Sequence, residues 1–146
     1  MKPFIVSMGI IIVGLSGLVF RSDLTQYVLL QEHLQALTEE ATAYAALACT
    51  ETEDGHLHFS QVEVNENVNY MITYASNYMP CFRNGTIYPE IISPVDETNS
   101  VTVKLQFVSN KDLFRLPFIS IKEISHTSCY EWVEIPEESL ESDSFL

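Results

Sequence analysis

The chain has 146 residues, a hydrophobic fraction of 47% and 20 acidic against seven basic side chains, for a formal net charge of −13. Acidity of this degree disfavours nucleic acid and anionic lipid as partners of the main surface, and makes cations or a basic protein the natural complements. It is also what an ordinary solvated surface looks like, so charge alone assigns no site.

The first twenty residues carry one charged side chain, Lys2, and from Pro3 to Phe20 they read PFIVSMGIIIVGLSGLVF. About 20 apolar residues in a helix cross a bilayer core, with a usual range of roughly 17–25, so residues 1–20 are expected to form a transmembrane anchor. A secretory signal has a shorter apolar core of about 7–15 residues and a small-x-small cleavage site. Gly14, Ser16 and Gly17 are small, but no Ala-x-Ala follows them, which favours a retained anchor. Lys2 and the amino terminus are the only positive charges before the span, which points the amino terminus inward and the body outward. All 20 acidic residues and six of the seven basic ones follow residue 20, so the outer part carries about −14. Within the span, Gly9, Gly14 and Gly17 are candidates for close helix packing in lipid, although their spacing is not Gly-xxx-Gly and glycine is common in membrane helices.

No helix breaker follows the span, so the rod is expected to continue through residues 21–48. Leu24, Val28, Leu34, Leu37, Ala41, Ala45 and Ala48 recur near a 3.6-residue period, giving one apolar face. That face either packs on the protein's own sheet or, at Leu24, Val28, Leu34 and Leu37, receives a partner helix. The polar run Thr50–Gly55 ends the rod. His56–Phe59 suggests a short strand, and the Val64, Val68, Met71, Ile72, Ala75 spacing predicts a second helix over about 65–77, closed by Met79-Pro80. Residues 86–133 change to a two-residue period. Thr86-Ile87-Tyr88 is a short strand, and Val101, Val103, Leu105 and Phe107 mark the clearest one. Pro117 argues against a central strand over 113–118. Ile119, Ile121 and Ile124 alternate with a one-residue slip that reads as a bulge. Residues 136–146 are acidic and aperiodic, a disordered tail. The fold class is therefore α+β: a long N-terminal helix packed on a small antiparallel sheet, with 21–135 as one extracytoplasmic domain of the size a single core supports.

Chemistry-bearing patterns are sparse. Cys49, Cys81 and Cys129 lie too far apart for a zinc motif; one disulfide with one free thiol, in any of three pairings, and three reduced thiols are both open. His56-x-His58 shares a strand face and could take a metal with His33 or His126, but no pattern brings these together. His126 and Cys129 stand at odd spacing and so on opposite strand faces, and the adjacent Glu39-Glu40 and Glu137-Glu138 diverge on a helix, so neither makes a nucleophile with its base or an acid–base pair. Phosphate-binding and nucleophile-elbow motifs are missing from the sequence. No cofactor and no enzyme activity are expected.

A rod made of anchor plus amphipathic helix, followed by a small sheet, is the layout of pilin-like proteins. The segment Glu39-Glu40-Ala41-Thr42-Ala43-Tyr44-Ala45-Ala46-Leu47 resembles the end of the N-terminal helix in TadE-like proteins of Tad (tight adherence) pilus systems. The start Met1-Lys2-Pro3-Phe4-Ile5, and Phe114-Arg115-Leu116-Pro117-Phe118-Ile119 with Ser128 and Tyr130, resemble Gram-positive members of that group. The resemblance implies a non-enzymatic, membrane-anchored pilus or secretion component whose partners are other pilin-like or assembly proteins. Pilins of the wider superfamily are cut after a glycine and carry Glu at the fifth mature position. Cleavage after Gly9, Gly14 or Gly17 would put Gly14, Val19 or Ser22 there, so the chain departs from that pattern, and a retained, unprocessed anchor would fit a minor component or assembly accessory better than the major filament subunit. The competing expectation is an extracytoplasmic binding module carried on a helical stalk.

Overall fold

The structure, a computed structural model, describes residues 2–51, 53–55, 57–92 and 100–131. One helix, α1, runs without interruption from Lys2 to Ala46, 45 residues or about 67 Å at 1.5 Å per residue. No proline falls after its first turn, and the three glycines are confined to its apolar half, so nothing in the sequence breaks the hydrogen-bond ladder. A hairpin of β1 (Cys49–Glu51) and β2 (Leu57–Phe59) follows, its turn using Gly55 at φ 79°, a conformation that costs glycine little. Then come α2 (Gln61–Tyr78), a 3-10 turn (Pro80–Phe82), and the strands β3 (Gly85–Ile91), β4 (Ser100–Ser109) and β5 (Glu123–Glu131). The three strands form an antiparallel meander in the order β3-β4-β5.

The α+β expectation therefore holds at its coarse level. In β4 the alternation is complete: Val101, Val103, Leu105, Phe107 and Ser109 are buried and the residues between them are not. Their face meets Leu34, Leu37, Ala41 and Ala45 of α1 in one core with Phe59, Val64, Val68, Phe82 and Ile124. The small side chains at 41, 45, 46 and 48 are at most 2% exposed. Thr38 and Thr42 are equally buried, and each satisfies its hydroxyl by donating 2.6 Å back to the carbonyl four residues earlier, which removes the cost of an unpaired polar group in the core. Gly85 is required by packing: a Cβ there would lie 2.6 Å from Phe107 Cζ and collide with the Val108 carbonyl.

Three expectations are corrected. The second helix begins at Gln61, four residues early: no breaker intervenes between Ser60 and Val64, and Val64 N–H already bonds the Ser60 carbonyl at 2.9 Å. β1 was not expected; three residues beside a turn carry too little periodicity to be read, and only the pairing with β2 defines it. The slip between Ile121 and Ile124 is not a bulge, since the β4–β5 register runs continuously from Ser100↔Glu131 to Val108↔Glu123 and residues 119–122 precede the strand. Residues 93–99, His56, residues 132–133 and the acidic tail lie outside the described residues.

Candidate functional site

α1 divides into two parts. No residue from 2 to 22 is buried, and the window long and apolar enough to cross a membrane has none of its residues buried inside the molecule. From Leu30 onward the helix is a core element. Side chains at Gly9, Gly14 and Gly17 would meet nothing within 4 Å, so the molecule's own packing does not demand glycine there and all three positions are open to another helix or to lipid.

The face expected to meet a partner is split by the same boundary. Leu34 and Leu37 are 1% and 3% exposed and belong to the internal core, which removes them from any partner surface. Their spacing had marked an apolar stripe correctly, but the sheet already covers it. Leu24 and Val28 remain 41% and 42% exposed. They leave an exposed apolar edge on the first turns beyond the apolar run.

Between these regions stands a contact that sequence reading did not find. Asp23 is 3% exposed, the only charged side chain buried among the described residues. Arg115, 92 positions away, clamps it: the Arg115 backbone N–H donates to Oδ2 at 3.0 Å, Nε to Oδ1 at 2.9 Å, and a terminal guanidinium nitrogen stands 2.8 Å from Oδ1. The guanidinium hydrogen bond, then the backbone N–H, hold the Asp23 carboxyl below its usual range against the opposing effect of burial. Phe114 seals the contact, with its ring 5.8 Å from Phe20 and 5.5 Å from Tyr27. Residues 110–122, the β4–β5 connection, are thereby strapped to the first turns of α1 outside the apolar run. The strap closes on itself through Ser109 N–H to Lys122 O at 2.7 Å and Leu113 N–H to Ile121 O at 2.8 Å. Inside it, a groove of about 500 Å³ is lined by Gln26, Tyr27, Leu30, His33, Cys81, Ser109 and Lys111 among others.

A second unexpected feature is the outer face of α2. Tyr70, Tyr74 and Tyr78 recur at four-residue spacing, 60%, 49% and 69% exposed, with Tyr74 and Tyr78 4.9 Å apart and Tyr44 of α1 5.7 Å from Tyr70. The four-residue spacing is present in the sequence, on the helix face away from the buried Val64, Val68 and Ala75.

The chemistry-bearing candidates do not converge. His126 shares the inward face of β5 with Ile124, while Cys129 points outward and is exposed. Cys49, Cys81 and Cys129 are all free thiols, and burial raises the first two above the ordinary thiol range. Among the described residues no three His, Cys, Asp or Glu side chains are grouped to hold a metal ion. Comparison with known proteins returns no match: no family model, no curated protein and no solved structure matches the chain.

Proposed function

We propose that the chain is a non-enzymatic, membrane-anchored, pilin-like subunit or accessory that assembles with other envelope proteins in a Tad-type pilus or related secretion apparatus, its body facing outward. The observation that carries this reading is the continuity of α1. A single helix presents an unburied apolar span and, without a joint, becomes the central element of the folded body. A rigid connection of this kind transmits the position of the body to the span, which suits a part that must be set in register with neighbours. A soluble domain tethered for convenience would need only a flexible linker.

The partner contacts are assigned to Gly9, Gly14 and Gly17 within lipid and to Leu24 and Val28 just outside it. The TadE-like resemblance supplies the identity of the apparatus, and the positive-inside bias supplies the orientation. The test is genetic and direct. In the native host, deletion of the gene should abolish surface filaments or secretion through the apparatus, wild-type complementation should restore them, and Leu24→Asp/Val28→Asp should not, although that variant still accumulates in the membrane. Full restoration by the double variant would sink the partner-face assignment.

A second reading, the binding module on a stalk, is favoured by the groove beneath the 110–122 strap. It makes the opposite forecast: the deletion phenotype is rescued by Leu24→Asp/Val28→Asp and is not rescued by Gln26→Trp, which fills the groove.

A further inference from the structure

The chain's acidity is not evenly spread. Arg21, Lys111, Arg115 and Lys122, four of the seven basic residues, fall on the first residue after the apolar run and on the strap that is fastened beside it. Two acidic residues share those segments. Asp23 is held by Arg115, and Asp112 accepts a hydrogen bond from the Ser120 hydroxyl at 3.2 Å. The end of the body nearest the anchor therefore reverses the sign of the whole.

That end is also apolar in the right place. Arg115 lies level with Asp23, three residues or about 4.5 Å of helix beyond Phe20. Phe118 follows three residues later, so its Cα is within about 10 Å of that of Arg115. It is 78% exposed, the most exposed of the large hydrophobic side chains described, at the tip of a strap whose neck is closed between Leu113 and Ile121. The headgroup zones of a bilayer add about 5–8 Å on each side of the hydrocarbon core, a depth this tip can reach. An aromatic ring flanked by Lys and Arg is the composition that favours such an interface.

We propose that the 113–119 strap is a second membrane contact: Phe118 enters the interface of the bilayer that holds the anchor, and Lys111, Arg21 and Lys122 face its anionic headgroups. The contact rests on the reading of residues 1–20 as a retained anchor. Its occupant is lipid, for two reasons. The strap adjoins the exposed apolar surface of the span itself, and its charge complements anionic headgroups while the remainder of the body is repelled by them. The Asp23–Arg115 clamp has a corresponding role. It pins the strap at a fixed height on the helix and neutralises the carboxylate on the helix itself that would otherwise face the phosphates. Two points of attachment, helix and strap, fix the tilt of the body on the membrane, which a single helix does not.

The experiment uses the full chain reconstituted in vesicles of equal phosphatidylcholine and phosphatidylglycerol. Trp132→Phe removes the native tryptophan, and single tryptophans are then placed by Phe118→Trp or by Leu15→Trp in the span. With lipids brominated at shallow or deep acyl positions, Trp at 118 should lose most of its emission to the shallow quencher and Trp at 15 to the deep one. Quenching at 15 but not at 118 overturns the strap contact and leaves the anchor standing, which is also the outcome if a protein partner covers the strap. Quenching at neither position overturns the anchor and the strap together. As a measurement on the unaltered chain, amide exchange over 113–121 should slow in nanodiscs containing phosphatidylglycerol relative to pure phosphatidylcholine, and equal rates count against the headgroup contact.

Discussion

The two ends of α1 are built from similar side chains and behave oppositely. Leu15 is 57% exposed and Leu34 is 1% exposed on the same continuous helix. Leucine contributes through what covers it, and here the covers differ: β4, β5 and α2 enclose the distal half, whereas among the described residues 2–19 none is buried. A surface of that length and composition is stable in water only under another apolar phase, and a bilayer is the phase it fits. The middle turns, 20 to 29, belong to neither regime. They carry the buried Asp23 paired with an exposed Arg115 guanidinium, two aromatic contacts and the exposed Leu24 and Val28, and this is where both the proposed partner face and the strap proposed to touch the membrane lie.

The sharpest way to break the comparison is to make equivalent changes in the two halves. Leu34→Ala should lower the unfolding free energy of the body by about 2–5 kcal/mol, the range for emptying a well-packed leucine site, whereas Leu15→Ala should leave that free energy unchanged and alter only membrane extraction. Both are read by urea denaturation followed by circular dichroism in a mild detergent. A Leu34→Ala cost no larger than that of Leu15→Ala would show that the sheet does not hold the helix as described. Gly85→Ala tests the same core from the opposite side. The added methyl meets Phe107 and the Val108 carbonyl, and overpacking of this kind costs about 1–3 kcal/mol.

The legibility of the sequence divides along the same line. Leu34, Leu37, Ala41 and Ala45 were readable as one face because periodicity is a local property of the chain, and so was the alternation of β4. What covers a face is not local. The spacing that put Leu24 and Leu34 on one stripe contained no information that a sheet stops between them, so the expected partner face was half wrong. Asp23 and Arg115 illustrate the limit more strongly. Each is an unremarkable polar residue in its own neighbourhood, and the pairing exists only because the β4–β5 connection folds back across 92 positions. Pro117 was enough to exclude a central strand but not to say where the resulting loop would dock.

Between the two halves, the clamp gives a smaller and pH-dependent effect. Because the Asp23 carboxyl is held below its unfolded value of about 3.8, its contribution is fully present above that value and is lost as pH falls through the lower folded value. Asp23→Asn should reduce the thermal midpoint at pH 7 by a few degrees, and the gap from wild type should narrow as pH drops below about 4. A constant gap down to pH 2 would mean that the carboxylate charge contributes nothing and that only the shape of the contact matters. Arg115→Ala should lower the midpoint at pH 7 as well and, in addition, speed amide exchange at residues 113–119, since the strap then keeps only the residue-115 backbone N–H bond to Asp23 and its aromatic fastening on α1.

The smallest effect separates the surface from the core by chemistry instead of energy. Cys129 is exposed on the outer face of β5, whereas Cys49 and Cys81 are partly covered and burial pushes both thiols up. Thiolate is the reactive form, so a maleimide at neutral pH should label Cys129 first, with the other two following more slowly and gaining rate as pH is raised. Mass mapping of the labelled peptides reads the order directly. If Cys81 reacted as fast as Cys129, the groove it lines beneath the strap would have to open to solvent on the labelling timescale. The strap would then be a moving element, and its fastening at Asp23 a latch that releases.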